Sequence, residues 1–160
     1  MLLEQQNKRR LMLARQEQTI TSAGNGLLAW TEGKSPLAWA AANRNVQLVE
    51  ALLRSSRINV NSPDIHRQTP LMHAIVANDR QIVEKLLEME DIDINLQDDN
   101  GRAAVFHAAR MGYLHIIQLL TGTRKVDFSI RDCNGESVQD IAKKIGKQDV
   151  IAALAAQGRT

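Results

Sequence analysis

The chain has 160 residues, of which 44% are hydrophobic but only 3% are aromatic, so its core has to be built from small and medium aliphatic side chains. This length suits a single domain of ordinary size. The 20 basic and 18 acidic residues leave a net charge of +2, and this near-balance excludes the strong basic excess typical of nucleic-acid-binding and membrane-surface proteins.

Cysteine usage and the N-terminal sequence favour an intracellular protein. Cys133 is the only cysteine, which excludes an intramolecular disulfide and fits a reducing compartment. No apolar run reaches the length of about 18 residues that a transmembrane helix needs. The polar N-terminus, MLLEQQNKRR, lacks the features of a secretory signal or a lipid anchor. We expect a cytoplasmic or nuclear location, with a secreted bacterial effector in a host cytosol as the alternative.

Residues 1–29 are predicted to form a helix followed by a turn-rich linker. Residues 2–18 are mostly good helix formers, and residues 19–26, TITSAGNG, are rich in turn residues. The favoured interpretation is a cap that shields the apolar end of the domain that follows. A second is a basic tail that contacts a partner, and a third is self-association, in which residues 2–13 pair two copies of the chain.

From residue 30 onwards the sequence repeats with a period of 34 residues. Asp64, Asp98 and Asp132 recur at this interval, as do Leu52 and Leu86. A fixed period of this size indicates a stacked repeat protein. We predict a repeat domain over residues 30–160, with units near residues 30–63, 64–97, 98–131 and 132–157.

Each unit is predicted to contain a short helix, a tight turn, a longer helix and an extended loop. Ser35 and Thr69 are good N-cap residues, and the proline after each one suits the first helical position. Small residues such as Ala40 and Ala108 in the first helix allow neighbouring units to approach closely. The second helix carries apolar residues at helical spacing, as at positions 82, 83, 86 and 87.

The combined pattern, D-x-x-G-x-T-P-L-x-x-A-A followed by I-V-x-x-L-L, resembles the ankyrin repeat. Its matches cover residues 30–157 and include Thr69-Pro70-Leu71, Asp98 and Gly101. The resemblance implies an all-α repeat solenoid, a stack of antiparallel helix pairs with β-hairpin-like loops. It also implies a non-catalytic scaffold or adaptor, which binds a partner protein through the hairpin tips and the concave face of the first helices.

The departures from the ankyrin pattern predict only moderate stability. Arg67 stands where the second unit should have its turn glycine, and Trp30 stands where the first should have its aspartate. Ala103 lacks the hydroxyl of an N-cap residue, and loss of such a cap typically costs about 1 kcal/mol.

Candidate contact residues follow from the parts of the ankyrin repeat that usually bind partners. The tips are predicted at Ile65-His66 and Asp99-Asn100, where the apolar Ile65 is either a partner anchor or ordinary surface scatter. Groove positions near the ends of the first helices include 76–77, 110–111 and 144–145. The groove candidates, some chosen because arginine and methionine are enriched in interfaces, are Gln68, Arg102, Trp39, His73, His107, Arg110 and Met111.

Trp39, His73 and His107 occupy one position of the repeat, on successive first helices. Three interpretations are open: packing between neighbouring helices, a strip in the binding groove, or a two-histidine metal site. Neighbouring helices lie about 8–10 Å apart, whereas zinc needs each histidine nitrogen within about 2.1 Å. Since no third ligand is evident, neither a metal nor another cofactor is predicted.

An enzyme with Cys133 as nucleophile and His107 as base is the catalytic alternative. No oxyanion-forming glycine motif accompanies these residues, and no enclosed pocket is implied, so we predict that the protein is not an enzyme. We expect a protein partner, no nucleic-acid or membrane partner, and a monomer rather than a homo-oligomer.

Overall fold

A computed structural model describes residues 33–157, which form four successive helix pairs, each joined by a short turn. Within these residues there are eight helices and no β-strand, so the predicted all-α repeat solenoid is confirmed. In chain order the helices are α1 (Pro36–Ala42), α2 (Val46–Leu53), α3 (Pro70–Val76), α4 (Arg80–Leu87), α5 (Ala104–Met111), α6 (Leu114–Gly122), α7 (Val138–Ile145) and α8 (Gln148–Gln157).

The first helices start where the N-cap residues predict. The Ser35 and Thr69 hydroxyls accept hydrogen bonds from the backbone N–H groups three residues later, those of Ala38 and Met72, and each cap is followed by proline. Ser137 forms a capping box with Asp140 at the start of α7. Ala103 has the same extended backbone but makes no side-chain cap, so the predicted loss of this cap in the third unit is confirmed.

Helices stack in two rows. The first helices α1, α3, α5 and α7 pack on one another, and the second helices α2, α4, α6 and α8 form the other row. Fully buried alanines, among them Ala40, Ala74 and Ala108, let the first helices pack closely. The second helices contribute large aliphatic side chains such as Leu86 and Leu120, and both rows share one hydrophobic core.

The turn before each first helix requires a left-handed backbone. Gly33, Gly101 and Gly135 adopt φ of +69°, +72° and +76° there, and Arg67 adopts φ of +59° at the same position of the second unit. A left-handed conformation costs a residue with a side chain about 1–2 kcal/mol relative to glycine. Arg67, which departs from the ankyrin pattern at this position, therefore has a strained backbone.

Asparagine side chains bridge the loops that follow successive second helices. The Asn61 amide donates to the Asp91 carbonyl at 2.7 Å, and its side-chain oxygen accepts from the Asp93 N–H at 2.9 Å. Asn95 makes the same pair of bonds to the next loop, at 2.8 and 2.9 Å. The asparagines thus hold the spacing between units on the loop side of the stack.

Residues 1–32 lie outside the part of the chain that the structure describes. The predicted N-terminal helix, its capping role and its self-association alternative therefore stay predictions, as do the unit boundaries, including residue 30. Over the described range, no helix is both long and apolar enough to cross a membrane.

Candidate protein-interaction surface

One buried carboxylate organises each hairpin between units. The Oδ1 atom of Asp64 accepts hydrogen bonds from the backbone N–H groups of His66 and Gln68, at 2.9 and 2.8 Å. Asp98 and Asp132 make the same two bonds within their own hairpins, at 2.8–3.0 Å. The repeated aspartate therefore shapes the tip through backbone N–H groups, and these hydrogen bonds do not use the tip side chains.

The second carboxylate oxygen fastens the hairpin to the first helix of the same unit. His73 on α3 donates from Nε2 to Asp64 Oδ2 at 2.8 Å. His107 on α5 donates in the same way to Asp98 at 3.1 Å. Both imidazoles are buried, and their pairing with an aspartate of the same unit is a contact that the sequence did not predict.

In the third hairpin, around Asp132, the second carboxylate oxygen is bound by a residue of the preceding hairpin. Ile141 occupies the histidine position there, and it has no polar atom to offer Asp132. The Arg102 guanidinium of the preceding hairpin instead donates to Asp132 Oδ2 from Nε and Nη2, each at 3.3 Å. Arg102, a predicted contact residue, is therefore committed to joining two hairpins.

Ionisation of Asp64 and of Asp132 is favoured by their hydrogen bonds. Burial alone raises the pKa of Asp64, but the Gln68 N–H and the His73 imidazole outweigh it, so the pKa lies below its ordinary value. For Asp132, burial is likewise outweighed by backbone N–H groups and by Arg102, and its pKa is also lowered. These two hairpins are thus built around a negative charge that is engaged in hydrogen bonds.

Burial shifts the pKa of His107 in the opposite direction. Burial lowers its pKa because an imidazolium loses its hydration there, and the Asp98 carboxylate offsets this effect only in part. The charges of Arg110 and Arg102 lower the pKa further. The imidazole is therefore neutral at pH 7 and donates its Nε2 hydrogen to the carboxylate.

The predicted tip residues Ile65, His66, Asp99 and Asn100 are all exposed, and Ile65 retains 64% of its accessible surface. Successive tips are joined by backbone hydrogen bonds. The Asp99 N–H donates to the His66 carbonyl at 3.1 Å, and the Cys133 N–H donates to the Asn100 carbonyl at 2.9 Å. The tips therefore form a connected row with side chains open to solvent.

Exposed large hydrophobic side chains are confined to the tips and the first helices. Across residues 33–157 they are Ile65 at a tip and, on the four first helices, Trp39, Val76, Met111 and Ile145. No second helix in this range contributes one. Val76 and Ile145 were not among the selected candidates, although both lie at groove positions of the repeat, which was the signal that could have identified them.

A cleft of about 300 Å³ lies between the second and third units. It is bounded by the hairpins around Gln68 and Asn100 and by the ends of α3 and α5. Five predicted contact residues meet here, whereas Trp39 lies on α1 and His73 is buried and bound to Asp64 of the first hairpin. The residues that line the cleft are Gln68, Val76, Asp98, Asn100, His107, Arg110 and Met111.

The groups of the catalytic alternative have other partners. The Cys133 thiol is exposed and lies 3.6 Å from the Asp99 carbonyl, to which it donates. The His107 Nε2 atom faces Asp98. Within the described range, no three side chains of histidine, cysteine, aspartate or glutamate come together in a way that could hold a metal ion.

Comparison with known proteins agrees with this geometry. A family model described as ankyrin repeats, in three copies, matches residues 9–98 and 78–159. A segment of 62 residues is 51% identical to part of the ankyrin repeat domain-containing protein oryK of Aspergillus oryzae (strain ATCC 42149 / RIB 40). That segment is 39% of this chain but only 7% of the fungal protein, so the likeness concerns a small part of that relative.

Proposed function

The chain belongs to the ankyrin repeat family, and we propose that it is a non-catalytic scaffold or adaptor that binds a partner protein through its hairpin tips and first helices. Ankyrin repeats are in general protein–protein interaction modules. The observation that carries the proposal is the one-sided distribution of exposed apolar side chains. Such side chains contribute most of the energy at protein interfaces when they are buried by a partner.

The proposed contact surface combines the tips with the outward sides of the first helices. Ile65 is the proposed anchor at the tips, with His66, Asp99 and Asn100 as the polar rim around it. Trp39, Val76, Met111 and Ile145 are the proposed apolar contacts along the first helices, with Gln68 and Arg110 beside them. A mixture of apolar anchors and polar rim is typical of interfaces that form reversibly.

Two predicted candidates take a smaller part in this surface. His73 is 8% exposed and Arg102 is tied to Asp132, so we propose that both support the surface rather than contact the partner. His107 is 7% exposed and forms part of the cleft wall. We therefore propose that His107 contacts only those partner atoms that enter the cleft.

An affinity capture from cell lysate, identified by mass spectrometry, tests the proposal. The test variant replaces Ile65, His66, Asp99 and Asn100 by serine; Asp64 and Asp98 stay, and they bind backbone N–H groups, so the hairpins are expected to keep their shape. The matched control replaces exposed glutamines of the second helices by alanine, at Gln47, Gln81 and Gln118.

We expect proteins that the native chain and the glutamine control capture equally and the tip variant loses, with all three chains folded by circular dichroism. Equal capture by the tip variant and the native chain contradicts a role of the tips. Loss with the glutamine control, but not with the tip variant, places binding on the second helices and contradicts the proposal as a whole.

A further inference from the structure

The cleft between the second and third units is lined by a cationic side chain, that of Arg110, which pairs with no acidic side chain in the described part of the chain. Asp98 is satisfied by two backbone N–H groups and by His107. Arg102, in the same hairpin as Asp98, is bound to Asp132. Arg110 is exposed at the end of α5 and lines the cleft, and its side chain takes part in no ion pair or hydrogen bond among residues 33–157.

The surroundings of Arg110 provide both further donors and apolar surface. Gln68 and Asn100 line the same cleft, and their primary amides can each donate hydrogen bonds. Val76 and Met111 line it as well, and they are 48% and 44% exposed. The cleft therefore suits a charged acceptor that is carried next to an apolar group.

We propose that the cleft binds an acidic side chain of the partner, an aspartate or glutamate next to an apolar residue. The carboxylate pairs with Arg110 and accepts from Gln68 or Asn100, and the apolar neighbour covers Val76 and Met111. This inference rests on the proposed function, because it specifies the partner's chemistry at part of the same surface.

Charge complementarity and size support an acidic side chain over other occupants. A guanidinium matches a carboxylate with two parallel hydrogen bonds, which gives specificity as well as attraction. The Asp98 carboxylate forms part of the same wall. A doubly charged phosphate is repelled more strongly by that group than a singly charged carboxylate is, and about 300 Å³ is room for a side chain rather than a folded element.

The test is an NMR titration of the full, isotope-labelled chain with three capped tripeptides. The probe is acetyl-Leu-Glu-Leu-amide, the uncharged control has Gln in place of Glu, and the third peptide has phosphoserine there. The reporters are the side-chain N–H signals of Gln68, Asn100 and Arg110. Arg110→Gln is the test variant. Arg57→Gln is the matched control, because Arg57 is also exposed and lies in the loop after α2, outside the lining of the cleft.

We expect saturable shifts of these signals with the Glu peptide, and an affinity lower by about fivefold for the Gln peptide, since the ion pair is accessible to solvent. The affinity for the Glu peptide is expected to fall by the same factor in Arg110→Gln and to stay unchanged in Arg57→Gln. The proposal is overturned by equal affinity for the Glu and Gln peptides, by an unchanged affinity in Arg110→Gln, by the absence of saturable shifts, or by a preference for the phosphoserine peptide.

The two proposals fail separately. If no peptide binds in the cleft but tip-dependent capture from lysate persists, only the acidic-side-chain inference is wrong. If capture is lost with the glutamine control but not with the tip variant, the proposed function is wrong, whatever the peptides do.

Discussion

Replacing Asp98 by alanine tests the reasoning about the hairpins most sharply. The side chain is 2% exposed and accepts from the Asn100 and Arg102 N–H groups and from the His107 imidazole, at 2.8, 3.0 and 3.1 Å. Alanine leaves all three donors without this acceptor. It also removes the hydrogen bond from His107 that fastens this hairpin to α5.

The size of the effect follows from the charge on the acceptor. Hydrogen bonds to an ionised group contribute about 1.5–3 kcal/mol each, and an unpaired buried donor costs a similar amount. Water can reach the partly buried N–H groups once the carboxylate is gone, so the losses do not add in full. We expect the free energy of unfolding to fall by about 3 kcal/mol, a large share of the total for a small domain.

Urea denaturation at pH 7, followed by far-UV circular dichroism, measures this loss. Asp99→Ala is the matched control, because it removes the same charge from the adjacent, exposed position. Its effect is expected to stay within about 0.5 kcal/mol, as for most surface substitutions. If Asp98→Ala costs no more than Asp99→Ala, the carboxylate does not support the hairpin and the structural role assigned to the repeated aspartate is wrong.

Three further predictions concern the backbone, the core and pH. Arg67→Gly should stabilise the protein by about 1 kcal/mol in urea denaturation, because glycine tolerates the φ of +59°; a loss of stability contradicts the strain at this turn. Leu86→Ala, at a fully buried site, should destabilise by about 2–5 kcal/mol in the same assay, and a loss below about 1 kcal/mol contradicts the assigned core. His107 has a pKa below its ordinary 6.5, so the unfolded chain binds protons more readily there, and stability should be full above pH 6.5 and decline below it. His107→Gln should flatten this decline in denaturation curves from pH 8 to 5, and an unchanged slope assigns the decline to other groups.

The fold could be predicted from the sequence because its signals are local or strictly periodic. The caps at Ser35 and Thr69, the missing cap at Ala103 and the unusual turn residue Arg67 each depend on a few adjacent positions, and the structure shows all four as predicted. The 34-residue period then places equivalent helices on one another. Stacking needs no further information, since each unit packs on the next one along the chain.

The polar contacts could not be predicted in the same way. His73 and His107 share a repeat position, which suggested packing between neighbouring helices, yet each pairs with an aspartate nine residues earlier in its own unit. A separation of nine residues across a hairpin corresponds to neither helical nor strand periodicity, so no pattern signals it. The contact between Arg102 and Asp132 joins two units, and it occurs where Ile141 stands at the histidine position.

The cleft was beyond sequence reasoning for a related reason. Its walls combine two hairpins with the ends of two helices from different units, and the repeat pattern orders such parts without giving the space between them. Gln68, Asn100 and Arg110 were chosen individually as candidates, from tip and groove positions. That they line one recess with Val76 and Met111 is a result of the tertiary structure.

The most direct test of the central claim is amide hydrogen exchange of the chain, alone and bound to a captured partner. Binding through the tips and first helices predicts slower exchange in the hairpin around Asp98 and in α3 and α5 when the partner is present. It predicts unchanged exchange on the solvent side of α4 and α6. Protection confined to α4 and α6, with the hairpins unaffected, contradicts the account.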